Sequence, residues 1–155
     1  NLEESLVMIK NLGVITEKVD KSLAIIGKIQ TEFEKLTKQN IEKKRALYLI
    51  WKDPYMSINQ NRFINDMMHR CGFQNIIISD ANYPEITEDE IKTLNPDLIL
   101  LSSEPYPFKE EHIKELINLS PNSKILLVDG EYFSWYGSRL QNAPAYFISL
   151  MNKII

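Results

Sequence analysis

"TEDEIKTLNPDLILL", residues 87–101, decides the fold. Thr87 and Glu90 stand three apart, the spacing at which each side chain bonds the other residue's backbone N–H at a helix start. A helix is therefore predicted over 87–94. "NP" interrupts it, and "DLILL" (97–101) follows as a short, unbroken apolar run. Such a run reads as a strand buried on both faces, the kind found in parallel sheets.

The same alternation extends in both directions. Upstream, "ALYLIW" (46–51) and "NIII" (75–78) read as strands, and "NRFINDMMHRCG" (61–72) as a helix closed by Gly72. Downstream, "KEEHIKELINL" (109–119) reads as a helix and "KILLV" (124–128) as a strand. A last helix is expected from about Ser138 to Lys153, with a break at Pro144. The order is βαβαβαβα. The fold class is α/β: a three-layer parallel sheet of about four strands flanked by helices.

A helical preface precedes the sheet. Leu2, Leu6, Ile9 and Leu12 recur at helical spacing, and Gly13 is expected to end that helix. Thr16 suits the cap of the next one. Residues 17–43 run without proline and carry an apolar stripe from Val19 to Ile41. At about 1.5 Å per residue, one helix of that length would reach about 40 Å, the width of a small domain or more. The chain divides at residue 45 into a helical segment (1–45) and an α/β lobe (46–155).

Composition excludes several function classes. The 155 residues are 44% apolar and 25% charged, which is ordinary globular composition. A net charge of −3 and no basic stripe argue against a nucleic-acid partner. Cys71 is the sole cysteine, so no internal disulfide and no cysteine-rich metal centre can form. His69 and His112 are expected on solvated helix faces rather than as metal ligands. No apolar run is long enough to span a bilayer. The chain opens at Asn1, without Met, inside a helical pattern, which reads as the start of a trimmed chain.

Ligands of open parallel sheets bind beyond the carboxyl ends of the strands. The loops leaving those ends are "KDPYMSINQ", "SDANYPEI", "SSEPYPF" and "DGEYFSWYGS". They hold 8 of the 15 aromatics, while the opposite loops hold Phe73 alone. Rings with polar tips suit a large, flat, partly polar ligand or a partner protein. Phe108 and Phe133 have no polar tip and are expected to plug the sheet edge instead. Asp53, Asp80 and Asp129 each follow a strand, as phosphate- or Mg²⁺-site acids do, yet Asp53-Pro54 and Asp129-Gly130 are also ordinary turn pairs. No phosphate-loop, dinucleotide or nucleophile-elbow motif is present.

"LYLIWKDPYMSINQNRFINDMMHRCGFQNI", "YPEITEDEIKTLNPDLILLSSEPYPF" and "LVDGEYFSWYGSRL" together resemble the C-terminal lobe of ABC-importer substrate-binding proteins for ferric siderophores, haem and cobalamin. The resemblance covers almost the whole chain. It implies a two-lobed receptor whose N-terminal lobe is absent here, with helix 17–43 as the rigid interlobe helix. It also implies a lobe without catalysis, a periplasmic or cell-surface setting, and a membrane tether through a lipoprotein leader missing from the chain.

The resemblance further places ligand-facing positions at Tyr55, Met56, Tyr83, Glu131 and Trp135. Rings would stack on a macrocycle or catecholate, and Glu131 would accept bonds from ligand amides. Arg139 would pair with ligand carboxylates, although its place at a helix start also suits a structural role. No residue set looks like direct metal ligation, and no cofactor is implied beyond the chelate itself. Docking on the permease would use Asp89, with Glu88 next, because Glu90 is engaged in the capping box. The competing reading is a flavodoxin-like enzyme or regulatory domain using Asp53 and Asp129 on phosphate or Mg²⁺.

Overall fold

The computed structural model describes residues 1–37 and 43–154. Four strands form one all-parallel sheet: β1 (Lys44–Leu49), β2 (Phe73–Asn75), β3 (Leu98–Ser102) and β4 (Lys124–Val128). Their spatial order is β2-β1-β3-β4. β3 is central and buried along its whole length, as its unbroken apolar run predicts. Ala46 pairs with Leu98, and Leu98 with Lys124, which fixes the register across the three longer strands.

Strand alternation divides the core in two. Ala46, Tyr48, Leu98 and Leu100 face one way, toward Ile29, Phe33, Met67, Phe133 and Phe147. Leu47, Leu49, Ile99 and Leu101 face the other, toward Ile77, Ile91, Phe108 and Leu116. The covering helices are α3 (Phe63–Arg70), α4 (Glu88–Leu94), α5 (Glu110–Leu119), a short α6 (Glu131–Ser134) and α7 (Ala143–Asn152). A 3₁₀ turn, Ser138–Gln141, precedes α7. Pro144 sits in the first turn of α7, where no helical partner for its missing N–H is needed. The expected 138–153 helix is thus divided just ahead of the proline.

The capping box over 87–90 forms as read. The Thr87 side chain accepts from the Glu90 N–H at 3.2 Å, and Glu90 accepts from the Thr87 N–H at 2.7 Å. The second strand is shorter than expected. After Asn75 its side-chain Oδ1 accepts the Ile77 N–H at 3.1 Å, which turns the chain out of the ladder. His112 departs from the expected solvated face. It is buried, its Nδ1 accepts the Lys109 N–H at 2.8 Å, and its ring packs edge-on against Phe108. From the third helical position of α5 the histidine plays the part that Glu or Gln plays in a capping box.

The helical preface differs most. α1 (Leu2–Ile15) runs through Gly13, and Thr16 closes it by donating its hydroxyl to the Leu12 carbonyl at 2.6 Å. Thr16 therefore ends α1 and does not cap the next helix. Glu17, at φ 56°, makes the turn into α2 (Val19–Thr37). The last part of the expected 17–43 helix, residues 38–42, lies outside the described residues. Over its 19 described residues α2 is about 28 Å long. The two helices expected from the sequence are thus present and packed on each other, with the turn between them at Glu17. α1 is pinned to the lobe at its start: the Leu2 N–H donates to Asp66 at 2.7 Å, and Arg70 bridges Asp66 and Glu3 at 3.2 and 2.9 Å.

Gly13 is where the two helices approach. A Cβ there would lie 2.1 Å from the Ser22 hydroxyl oxygen. Gly13→Ala should force the helices apart and cost about 1–3 kcal/mol, as overpacking does, despite alanine's better helix propensity. Urea unfolding followed by circular dichroism reads the effect, and a stabilised variant would show the helices to be free to separate.

Candidate functional site

The carboxyl ends of the strands carry the candidate site. β1 ends in a tight reversal at Asp53-Pro54, a cis peptide with Asp53 at φ 61°. The Ile50 N–H donates to the Met56 carbonyl at 2.9 Å, and the Met56 N–H returns to Trp51 at 3.1 Å. This reversal turns Tyr55 inward. It is 7% exposed and packs among Leu49, Ile77, Ile86 and Phe108. Burial also pushes its phenol above the ordinary range. Tyr55, expected on the ligand face, is thus packed largely under the edge. Met56 is half-buried beside it, bridged to Glu85.

Tyr83 and Trp135 do present their rings, at 49% and 52% exposure, and Tyr136 joins them. Phe108 and Phe133 are buried, as expected for rings without a polar tip. Trp135 is held rather than loose. Its indole Nε1–H donates to Glu104 Oε1 at 2.9 Å, and Ser134 Oγ donates to the same oxygen at 2.6 Å. Sequence reading passed over Glu104. The available signal was its place in "SSEPYPF", one of the four strand-end loops.

Glu104 is itself anchored to the sheet. Its carbonyl accepts the Ser102 hydroxyl at 2.6 Å, and that hydroxyl oxygen accepts from the buried Tyr48 at 3.1 Å. Desolvation raises the Tyr48 phenol well above its ordinary range, so it stays a neutral donor. Across the gap, the Gly130 N–H donates to Ser103 Oγ at 3.0 Å. A Cβ on Gly130 would meet Ser102 Oγ at 2.3 Å, so this loop crossing needs glycine.

Glu131 and Arg139 come together, but with each other. Their ion pair is 2.6 Å, and Asp129 lies 3.5 Å from the same guanidinium. Arg139 also covers the Tyr132 ring at 4.4 Å, and Tyr132 stacks on Tyr146 at 4.4 Å. This network ties the β4 loop to the 3₁₀ turn.

The two acids of the enzyme alternative are occupied as turn residues. Asp53 is exposed and 3.9 Å from Lys52, while Asp129 caps its own turn through the Glu131 N–H at 3.1 Å. Among the described residues no group of three or more His, Cys, Asp or Glu gathers as a metal site. No described helix is long and apolar enough to cross a membrane.

A cleft of about 580 Å³ opens beside Tyr83 and Tyr136. Asn61, Arg62, Phe63 and Ile64 form one side, and Asn1, Glu4, Ser5 and Met8 of the α1 region form another. On α4, Asp89 has a 91% exposed side chain whose described partner is Lys92, at 2.9 Å one turn on. Glu88 is exposed beside it. Bonds from Thr87 hold the Glu90 carboxyl below its ordinary range, so Glu90 is engaged.

A parallel α/β lobe with exposed rings beyond the carboxyl ends of its strands has the build in which ligands bind at that edge. The chain belongs to the periplasmic binding protein family, whose model matches residues 1–118. This is a family of substrate-binding proteins, not of enzymes, which sets aside the flavodoxin-like enzyme reading. Membership implies an extracytoplasmic setting.

Solved structures share the fold at low identity. The periplasmic vitamin B12 binding protein BtuF of Vibrio cholerae superposes with a TM-score of 0.77 at 15% identity, over 99% of this chain and 62% of its own. The periplasmic heme-binding protein RhuT from Roseiflexus sp. RS-1 gives 0.78 at 14%, over 100% and 65%. Staphylococcus aureus IsdE, solved with heme, gives 0.71 at 18%, over 98% and 64%. The chain thus spans a little under two thirds of the length of these proteins. Comparison with curated proteins gave no significant match.

The Glu104 clamp makes a direct prediction. In a Trp51→Phe background, Glu104→Ala should shift Trp135 emission to the red and lower its anisotropy. It should cost about 1 kcal/mol of stability, the scale of a partly exposed hydrogen-bond pair. Unchanged anisotropy would show that packing alone holds the indole.

Proposed function

We propose that this chain supplies one wall of an interlobe ligand cleft in the substrate-binding component of an ABC importer. The ligand is a metal chelate: a ferric siderophore, haem or cobalamin. The observation that carries the reading is the exposed pair of rings, Tyr83 and Trp135, on the strand-end edge, with Trp135 fixed by Glu104. Large rings left in water beside the carboxyl ends of a parallel sheet suit a flat ligand.

Residues 1–45 act as the interlobe segment and residues 46–155 as the C-terminal lobe, with the receptor's own N-terminal lobe as the opposite wall. The metal arrives inside its chelator and needs no protein ligand. Met56 and the half-exposed Glu131 border the rings, and Glu131 retains acceptor capacity beyond its pair with Arg139. Arg139 serves the loop network first. The heme and vitamin B12 named for structural relatives support this class of ligand.

Delivery to the permease runs through Asp89, with Glu88 beside it. Their exposure at the α4 start leaves them available to basic partners, since the exposed Lys92 pair is weak. The receptor sits in the periplasm or on the cell surface, where a lipoprotein leader would tether it.

Two measurements test this. In the full-length receptor, Trp135→Ala should weaken binding of its chelate about tenfold, the loss of one good aromatic contact. Affinity unchanged by that substitution would remove the ring from the ligand face. Asp89→Ala should lower transport into cells while leaving ligand affinity unchanged. Normal transport by the Asp89→Ala and Glu88→Ala double variant would end the docking assignment.

A further inference from the structure

Past Asn75 the chain leaves the sheet, yet its side chains still alternate as in a strand. Ile77 turns in and joins the core with Ile86 and Ile91. Ile78 turns out and is 86% exposed, the most exposed of the large apolar side chains described. Its flanks are pinned, so it cannot fold away. The Ile77 N–H is held by Asn75, and the Ser79 N–H donates to Gln60 Oε1 at 3.1 Å. The Ser79 carbonyl accepts from Asn59 Nδ2 at 3.2 Å.

Ile78 borders a groove of about 380 Å³. Ile76 and Ile77 continue its wall, and Thr93 and Leu94 of α4 stand on another side. The segment between them is fixed as well: the Pro84 carbonyl accepts the Ser57 N–H, and the Ile86 N–H donates to the Tyr55 carbonyl, both at 2.9 Å. The groove shares no lining residue with the cleft beside Tyr83.

The rim carries mostly one sign of charge. Residues 80–90 hold Asp80, Glu85, Glu88, Asp89 and Glu90, all exposed, and no Lys or Arg. Glu85 and Glu90 line the groove itself. Lys92 follows, drawn to Asp89 at 2.9 Å. Thr93 joins the groove to Asp89: it stands one turn further along α4, and its hydroxyl donates to the Asp89 carbonyl at 2.8 Å. An apolar slot with a carboxylate rim fits an apolar side chain flanked by Lys or Arg. A second copy of this chain would bring the same carboxylates to the rim, and like charges there oppose pairing.

We propose that this groove is the apolar half of the permease interface: a side chain of a basic permease loop enters between Ile78 and α4, while a Lys or Arg of that loop meets Asp89 and Glu85. This rests on the docking role of Asp89 proposed above and extends it. The carboxylates steer and orient the encounter, and burial of Ile78 holds the complex once it has formed.

The experiment uses the full-length receptor and the permease of the same importer in lipid nanodiscs, with binding read by surface plasmon resonance at low and high salt. Ile78→Ser should weaken docking about tenfold, the scale of one buried aliphatic side chain, by the same factor at both salts. Ile78→Leu should dock normally. Asp89→Ala should weaken docking at low salt and lose most of its effect at high salt. The exposure of Ile78 means that Ile78→Ser should leave the Tm unchanged, which thermal unfolding checks.

Normal docking by Ile78→Ser beside weakened docking by Asp89→Ala would overturn the groove and leave the docking reading standing. Normal docking by both variants would overturn both. Two other occupants would also overturn the inference. Weaker binding of haem, a ferric tricatecholate or cyanocobalamin by Ile78→Ser would assign the groove to the ligand. A dimer of the unaltered receptor that Ile78→Ser dissolves in sedimentation would assign it to a second copy.

Discussion

Everything else in this lobe follows from burying β3 on both faces and both edges. Five consecutive apolar or small residues leave no polar side chain to meet water, so helices must cover the strand above and below. Its backbone groups must be paired on either side, and β1 and β4 supply the partners. Because the pairing is parallel, each connection returns through a helix and each strand ends at the same side of the sheet. The strand-end loops are therefore neighbours by necessity, and a site made from distant segments costs no special arrangement.

Those neighbouring loops are tied by short polar side chains. Ser102 and Ser103 reach Glu104 and Gly130, and Tyr48 supports Ser102 from inside the core. Glu104 then passes that rigidity outward to Trp135. The exposed ring is thus the last link of a chain of hydrogen bonds that begins in the sheet. An aromatic wall of this kind enters a complex with little motion left to lose, which is the main advantage of preorganised recognition.

The sheet was legible because burial on two faces leaves a plain apolar run. The β4 limits and the Thr87–Glu90 box fell where the residues indicated. Features that depend on one loop folding over another were not legible. Tyr55 carries the same polar tip as Tyr83, yet the bonds among Ile50, Trp51 and Met56 hold its loop with the ring inward while the Tyr83 ring stays exposed. Glu104 was passed over, since its partner Trp135 reaches it only in the folded chain. The α1–α2 break was legible, but it falls a few residues later than Gly13 because Glu17, not a glycine, adopts the left-handed turn. His112 passed as a solvated histidine because its cap and its aromatic neighbours are assembled by the loop that precedes it.

The sheet's two outer strands bear on self-association. β2 has three residues, too few to template an added strand. β4 is longer and keeps Leu127 partly exposed, but it opens with Lys124, whose ammonium reaches the carbonyls of Lys153 and Ile154. The end of the chain is thereby drawn alongside the strand that would otherwise invite a neighbour. A lobe with exposed rings beyond its strand ends gains from denying its sheet edges to other copies.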